Sequence, residues 1–145
     1  MVWSDGETQV VATSSGDQEL GTQDDWIVTD DGPNGDPTVV QVISGADPSF
    51  DPTTAVQFRD GVHFAFQSVV VPAGGRAILM HFASQNADET AALASAEAIL
   101  GLQGSALSGL SPEERAAIVN FGAFPDAGAL VSDLLVQLIS MISNR

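Results

Sequence analysis

The chain has 145 residues, with 19 acidic side chains against four arginines and no lysine, which gives a formal net charge of −15. Such a charge argues against nucleic-acid phosphates and anionic lipid surfaces as partners, because both would repel it. The absence of cysteine excludes disulfides, thiolate metal sites and cysteine nucleophiles. A hydrophobic content of 44% supplies a core for one domain, or for two very small ones.

Residues 1–84 carry strand and turn signals. The β-prone runs cover residues 9–13, 26–29, 39–44, 55–59, 62–66, a segment ending at 71, and 76–83. Gly, Pro, Asn and Asp separate them at intervals of about ten residues, which predicts an antiparallel, sandwich-like arrangement. Asp60-Gly61 between two such runs is the strongest hairpin signal in the chain.

From residue 85 the hydrophobic period becomes helical, which predicts three helices packed on the strands as one structural unit of the α+β class. Asn86 or Asp88 can cap the first helix, which runs to about Leu102. Ser111-Pro112-Glu113-Glu114 reads as a capping box with proline at the first helical position. That second helix is expected to end near Asn120.

The third predicted helix covers residues 126–142, and its polar side chains occupy only one narrow face. Asp133 lies on that face, and the helix is too polar on that side to span a bilayer. The wide apolar remainder needs cover from the strands, an adjacent domain or another copy of the chain. Leu135 and Ile139, one turn apart on this surface, are the predicted interface residues.

The segment from Asp30 to Asp36 is the candidate ion site. Asp30, Asp31, Asn34 and Asp36 offer side-chain oxygens at the near-alternate spacing, with glycine, that calcium loops use. Pro33 breaks the twelve-residue helix–loop–helix pattern, and no glutamate stands at its closing position. The alternative interpretation is an Asx-rich turn on an acidic surface.

Trp3 and Trp26 both stand beside acidic turns. Together they could form a sugar-stacking platform, which makes a carbohydrate-binding accessory domain the alternative function. The competing interpretation is that a strand tryptophan fills the core.

Catalytic signals are sparse. His63 and His81 lie on predicted strands, and with Asp60 they could form a metal or acid–base site if those strands pair. A pair of carboxylates among the 12 acids of the first sixty positions is expected by chance, so it does not indicate a glycosidase. We therefore expect a non-enzymatic protein.

Three segments carry a family resemblance: Trp26–Asp31 with Gly35-Asp36-Pro37, Val71–Gly75 with Leu79–Ala83, and Leu110–Phe121. Together they resemble a β-sandwich module with a helical tail that recurs in large secreted bacterial multidomain proteins. The resemblance implies an extracellular or cell-surface setting and a non-catalytic role. No basic segment precedes an apolar stretch at the N-terminus, so no signal peptide is predicted, and the chain is expected to come from a longer precursor.

Overall fold

The computed structural model describes residues 8–32, 37–58 and 61–122. Its strands and helices are β1 (Gln9–Thr13), β2 (Trp26–Asp30), β3 (Thr38–Val42), β4 (Thr54–Phe58), β5 (Gly61–Ala65), β6 (Phe82–Asn86), α1 (Glu89–Leu100) and α2 (Pro112–Ala116). One sheet has four strands in the order β1-β2-β3-β6, and β4 and β5 form a second, two-stranded sheet. Every named strand pair is antiparallel, which confirms the predicted strand-rich first part.

Helix α1 covers one face of the four-stranded sheet. Side chains alternate along a strand, so β2 and β3 each direct every second residue toward the helix. The helix contributes two fully buried alanines, whose small size lets it lie close to the sheet. The buried residues of this first core are Trp26, Val28, Val40, Val42, Ala92, Ala96, Ile118 and Phe121.

The β4–β5 hairpin packs on the opposite face. Ile27, which points away from α1, is fully buried there with Leu20, Ile43 and Ala55. Phe64 and other partly buried apolar residues of the hairpin region pack against them. The layers are therefore helix, four-stranded sheet and hairpin, and the predicted sandwich of two sheets is not confirmed.

The hairpin itself is confirmed. Phe58 pairs with Gly61 and Thr54 with Ala65, so residues 59 and 60 connect the two strands. The Asp60-Gly61 dipeptide therefore located this connection correctly from sequence alone.

The predicted strands at 69–71 and 76–83 differ from the structure. Residues 69–71 are not in a strand, and the last strand of the sheet is β6, displaced toward the C-terminus. Ile78 instead forms an isolated parallel bridge with Ile118. Its backbone N–H donates to the Ala117 carbonyl at 2.7 Å, and its carbonyl accepts from the Val119 N–H at 3.0 Å.

The two helices of the described residues begin where their caps predict. The Asp88 carboxylate accepts a hydrogen bond from the Ala91 N–H at 2.8 Å, and both bonds of the Ser111–Glu114 capping box are present. Helix α2 ends at Ala116, short of the predicted Asn120, because the following residues bond to Ile78.

The described residues contain two helices, and the third predicted helix, 126–142, lies outside them together with Leu135 and Ile139. Within the described part of the chain, no helix has the length and apolar character needed to cross a membrane.

Candidate functional site

The described half of the predicted calcium loop is engaged in hydrogen bonds within the fold. Asp30 accepts from the Gly32 N–H at 2.7 Å, as in an Asx turn, and from the Thr38 hydroxyl at 2.5 Å. Asp31 accepts from the Thr8 hydroxyl at 2.7 Å. Thr8 precedes β1 and Thr38 begins β3, so the two carboxylates bond to strands on opposite sides of β2.

Asn34 and Asp36 lie outside the described residues. No group of three or more His, Asp or Glu side chains within the described ranges is arranged to hold a metal ion. Calcium binding at residues 30–36 stays a prediction, and any ion there would compete with Thr8, Thr38 and Gly32 for the two described carboxylates.

Trp26 does not offer an open ring face. Its exposed fraction is 7%, and it packs in the core between the sheet and α1. Sugar stacking needs an accessible aromatic face, so the described structure does not support Trp26 as a ligand-binding residue. Trp3 lies outside the described residues.

The two histidines lie on segments that do not pair. β5 pairs with β4, whereas His81 precedes β6, which pairs with β3. The His81 ring packs edge-on to Phe64, with centroids 5.7 Å apart. Phe64 and His63 are neighbours on β5 and therefore point to opposite faces of the hairpin. The structure does not bring His63 and His81 together.

Asp24 and Asp25 form a junction between the turn after β1 and the end of β3. Asp24 is almost completely buried, and its carboxylate accepts from the N–H groups of Ser15 and Gly21 at 2.9 and 2.8 Å. Asp25 is half-buried and accepts from the Ser44 hydroxyl at 3.0 Å. Asp24 therefore fixes the turn, and its carboxylate is not available to a ligand.

Burial raises the pKa of Asp25, and the nearby carboxylates, of which Asp51 contributes most, raise it further. The hydrogen bond from Ser44 opposes this rise. The ionised form of Asp25 is therefore less favourable in the folded protein than in the unfolded chain.

Asn120 forms a second junction that sequence reasoning missed. Its side chain is fully buried, donates to the carbonyls of Ile43 and Met80 at 2.7 and 2.6 Å, and accepts from the Met80 N–H at 2.8 Å. A side chain on Gly45 would collide with the Phe121 ring, so the two backbones can approach only because residue 45 is glycine. No local motif signals either requirement.

Residues 61–87 form an acid-free stretch in this acidic chain. These 27 residues contain no Asp or Glu, and their ionisable groups are Arg76, His63 and His81. Val70, Val71 and Leu79 within it are 82%, 58% and 41% exposed. Exposed apolar side chains and a lack of negative charge therefore coincide within one stretch of the sequence.

The two edges of the four-stranded sheet differ. At the β1 edge the register with β2 shifts between Val10 and Ala12, and the Gln18 amide donates to the Val11 carbonyl at 2.8 Å. At the other edge, β6 pairs with β3 in continuous register over all five residues. β6 contains no proline and no charged side chain. It therefore lacks the features that normally discourage an edge strand from pairing with another chain.

Comparison with protein-family models, with curated proteins and with solved structures finds no match to this chain. The resemblance to a secreted bacterial module therefore stays a prediction.

Proposed function

We propose that the protein is a non-enzymatic binding module that acts by association, with another protein or with a copy of itself, in an extracellular or cell-surface setting. The apolar segment 126–142 is the proposed contact, with Leu135 and Ile139 at its centre. The observation that carries the proposal is that both faces of the four-stranded sheet already have a cover.

The two cores leave little room for a further apolar element. Ala92 and Ala96 of α1 are fully buried against one face of the sheet, and Ile27 is fully buried beneath the hairpin on the other. A segment as apolar as 126–142 therefore finds no open face of this sheet large enough to cover it. We propose that another protein, an adjacent domain or a second copy covers it.

The charge of the chain bears on the strength of association. Two copies with a formal charge of −15 repel each other at low salt, and salt screens that repulsion. We therefore expect self-association to strengthen as ionic strength rises, because the contact is apolar and salt weakens only the repulsion between the two copies. A contact made of ion pairs would weaken instead.

The test is the substitution Leu135→Asp with Ile139→Asp, compared with the parent by size exclusion and light scattering. The matched control is Gln137→Asp with Ser140→Asp, which adds the same two charges on the polar side of the predicted helix. The proposal expects an oligomeric parent, an oligomeric control and a folded monomer for the Leu135/Ile139 variant. If that variant unfolds by circular dichroism, the segment packs internally and the proposal is wrong.

No described contact favours the carbohydrate-binding alternative, because the ring of Trp26 is buried. Stabilisation of the module by calcium is a further part of the proposal, and it depends on ion binding by the loop at 30–36.

A further inference from the structure

We propose that β6 is a self-association edge, which pairs antiparallel with β6 of a second copy and joins two four-stranded sheets into one. The inference rests on the proposed function, in that the module acts by association. It adds a second, weaker surface to the contact through the segment 126–142, so the Leu135/Ile139 variant is still expected to run as a monomer in size exclusion. The partner it names is a second copy of this chain.

The two edges of the sheet differ in how well they are protected against pairing with another strand. The β1 edge has an irregular register, and the Gln18 side chain occupies the Val11 carbonyl. Gln18 adopts a left-handed backbone conformation with φ 62°, which is unfavourable for a residue other than glycine. The fold therefore keeps the Gln18 bond to the edge of β1 although it costs conformational energy. β6 has none of these features, and no other described strand pairs with its free side. A regular, uncharged edge strand is a template for another strand.

The β6 edge also lacks negative charge. β6 lies in the acid-free stretch 61–87, so a second acidic copy can approach here without placing carboxylates opposite each other along the paired strands. The nearest acid, Asp88, already caps α1 through its bond to the Ala91 N–H. Leu79, just ahead of the strand and 41% exposed, adds apolar area beside it.

The length of β6 determines the register of the proposed pair. Two five-residue strands overlap completely only when the central Ser84 of one copy lies opposite Ser84 of the other. Ala83 then faces Gln85 of the second copy, and both residues are exposed on the side of the sheet away from α1. The pairing is isologous, so it closes as a dimer with two-fold symmetry.

The absence of cysteine from the chain permits a direct test. Single variants Ala83→Cys and Gln85→Cys are prepared in the full chain, mixed and oxidised mildly, and crosslinking is read on non-reducing gels. Opposed residues of an antiparallel pair have Cα atoms about 4.5–5.5 Å apart, within the range of a disulfide. We expect the disulfide-linked heterodimer of the two variants to dominate over either homodimer. Gln9→Cys, on the opposite edge, should crosslink only at background level.

A second variant tests the energetics. Ala83→Glu with Gln85→Glu places like charges across the paired strands and should weaken dimerisation about tenfold. Gln9→Glu, an exposed glutamine on the other edge strand, is the matched control and should leave it unchanged. Circular dichroism of each variant verifies the fold.

The outcomes separate this inference from the proposed function. If the parent associates, loses association in the Leu135/Ile139 variant, but gives no β6 crosslink, the β6 inference is wrong and the proposed function stands. If the parent stays monomeric over the accessible concentration range, self-association fails at both surfaces.

Discussion

The acid-rich turns beside β1 and β2 and the acid-free stretch 61–87 differ in what their side chains contact. In the turns, Asp24, Asp30 and Asp31 accept hydrogen bonds from backbone and hydroxyl groups of the fold. In the acid-free stretch, Val70 and Val71 project into solvent. The comparison teaches that the most conspicuous charges of the sequence serve local structure. We propose that the stretch where charge is missing contains one of the surfaces used for association.

The largest expected effect comes from Asn120, which fastens the acid-free stretch to the end of β3. Asn120→Ala leaves the Ile43 carbonyl and both backbone groups of Met80 without their partner in a buried position. We expect the free energy of unfolding to fall by about 3 kcal/mol. Urea denaturation measures it, and a loss below about 1 kcal/mol would mean that water replaces the amide.

The next effect tests whether the acids are structural. Asp24→Asn replaces one carboxylate oxygen by an NH₂ group that cannot accept from the N–H of Ser15 or Gly21. We expect a loss of about 2 kcal/mol, because the position is buried. Thermal or urea unfolding measures this, and a neutral result would contradict the structural role given to Asp24.

The Ser111 cap is expected to have a smaller effect. Ser111→Ala removes the hydroxyl that accepts from the Glu114 N–H at 3.2 Å. The free energy of unfolding should fall by about 1 kcal/mol. Ser108→Ala, at an exposed turn position just ahead of the helix, is the control. An equal change in both variants would show that the cap contributes nothing specific.

Asp25 tests the direction in which stability changes with pH. The pKa of the Asp25 carboxyl is raised in the folded state, so the folded protein binds the carboxyl proton more strongly than the unfolded chain does. Stability therefore falls as pH rises through the folded-state pKa. Asp25→Asn should therefore raise Tm at pH 7 and have little effect below the usual aspartate pKa of 3.8.

The control for Asp25 is Asp17→Asn. The Glu19 N–H lowers the pKa of Asp17, so this exposed carboxylate stabilises the fold when it is ionised. Its replacement should lower Tm at pH 7 slightly. A lower Tm at pH 7 in the Asp25→Asn variant would contradict the conclusion that the ionised Asp25 carboxylate destabilises the fold.

Calcium is expected to have the smallest effect, because Asp30 and Asp31 would have to exchange existing hydrogen bonds for the ion. If the loop at 30–36 binds calcium, millimolar calcium raises Tm through mass action, and Asp36→Ala removes the increment. Sodium at matched ionic strength is the control. An equal increment from sodium would indicate charge screening alone.

Local patterns predicted much of the fold. β1, β2 and the hairpin follow from β-prone runs bounded by turn residues, and both helix starts follow from their caps. The end of α2 and the displaced β6 could not be predicted, because both depend on pairing between residues 78 and 117–119, which are distant in sequence.

The candidate site was less predictable than the fold. The sequence drew attention to Asp30, Asp31 and Trp26, and the fold uses the two carboxylates and the buried ring internally. Asn120 carries no sequence motif, and its role depends on two backbones that meet only in the folded chain. The absence of Asp and Glu from residues 61–87 can be seen in the sequence alone, because a stretch without charge can be identified in the same way as a cluster of charges.

The most direct test of the proposed function is light scattering coupled to size exclusion on the intact chain, over a range of protein and salt concentrations. The account predicts a mass above that of the 15.0 kDa monomer, with association that strengthens as salt screens the charge of −15. Leu135→Asp with Ile139→Asp should convert it to a folded monomer. A parent that remains monomeric at every concentration, or a variant that unfolds instead of dissociating, would contradict self-association through this segment.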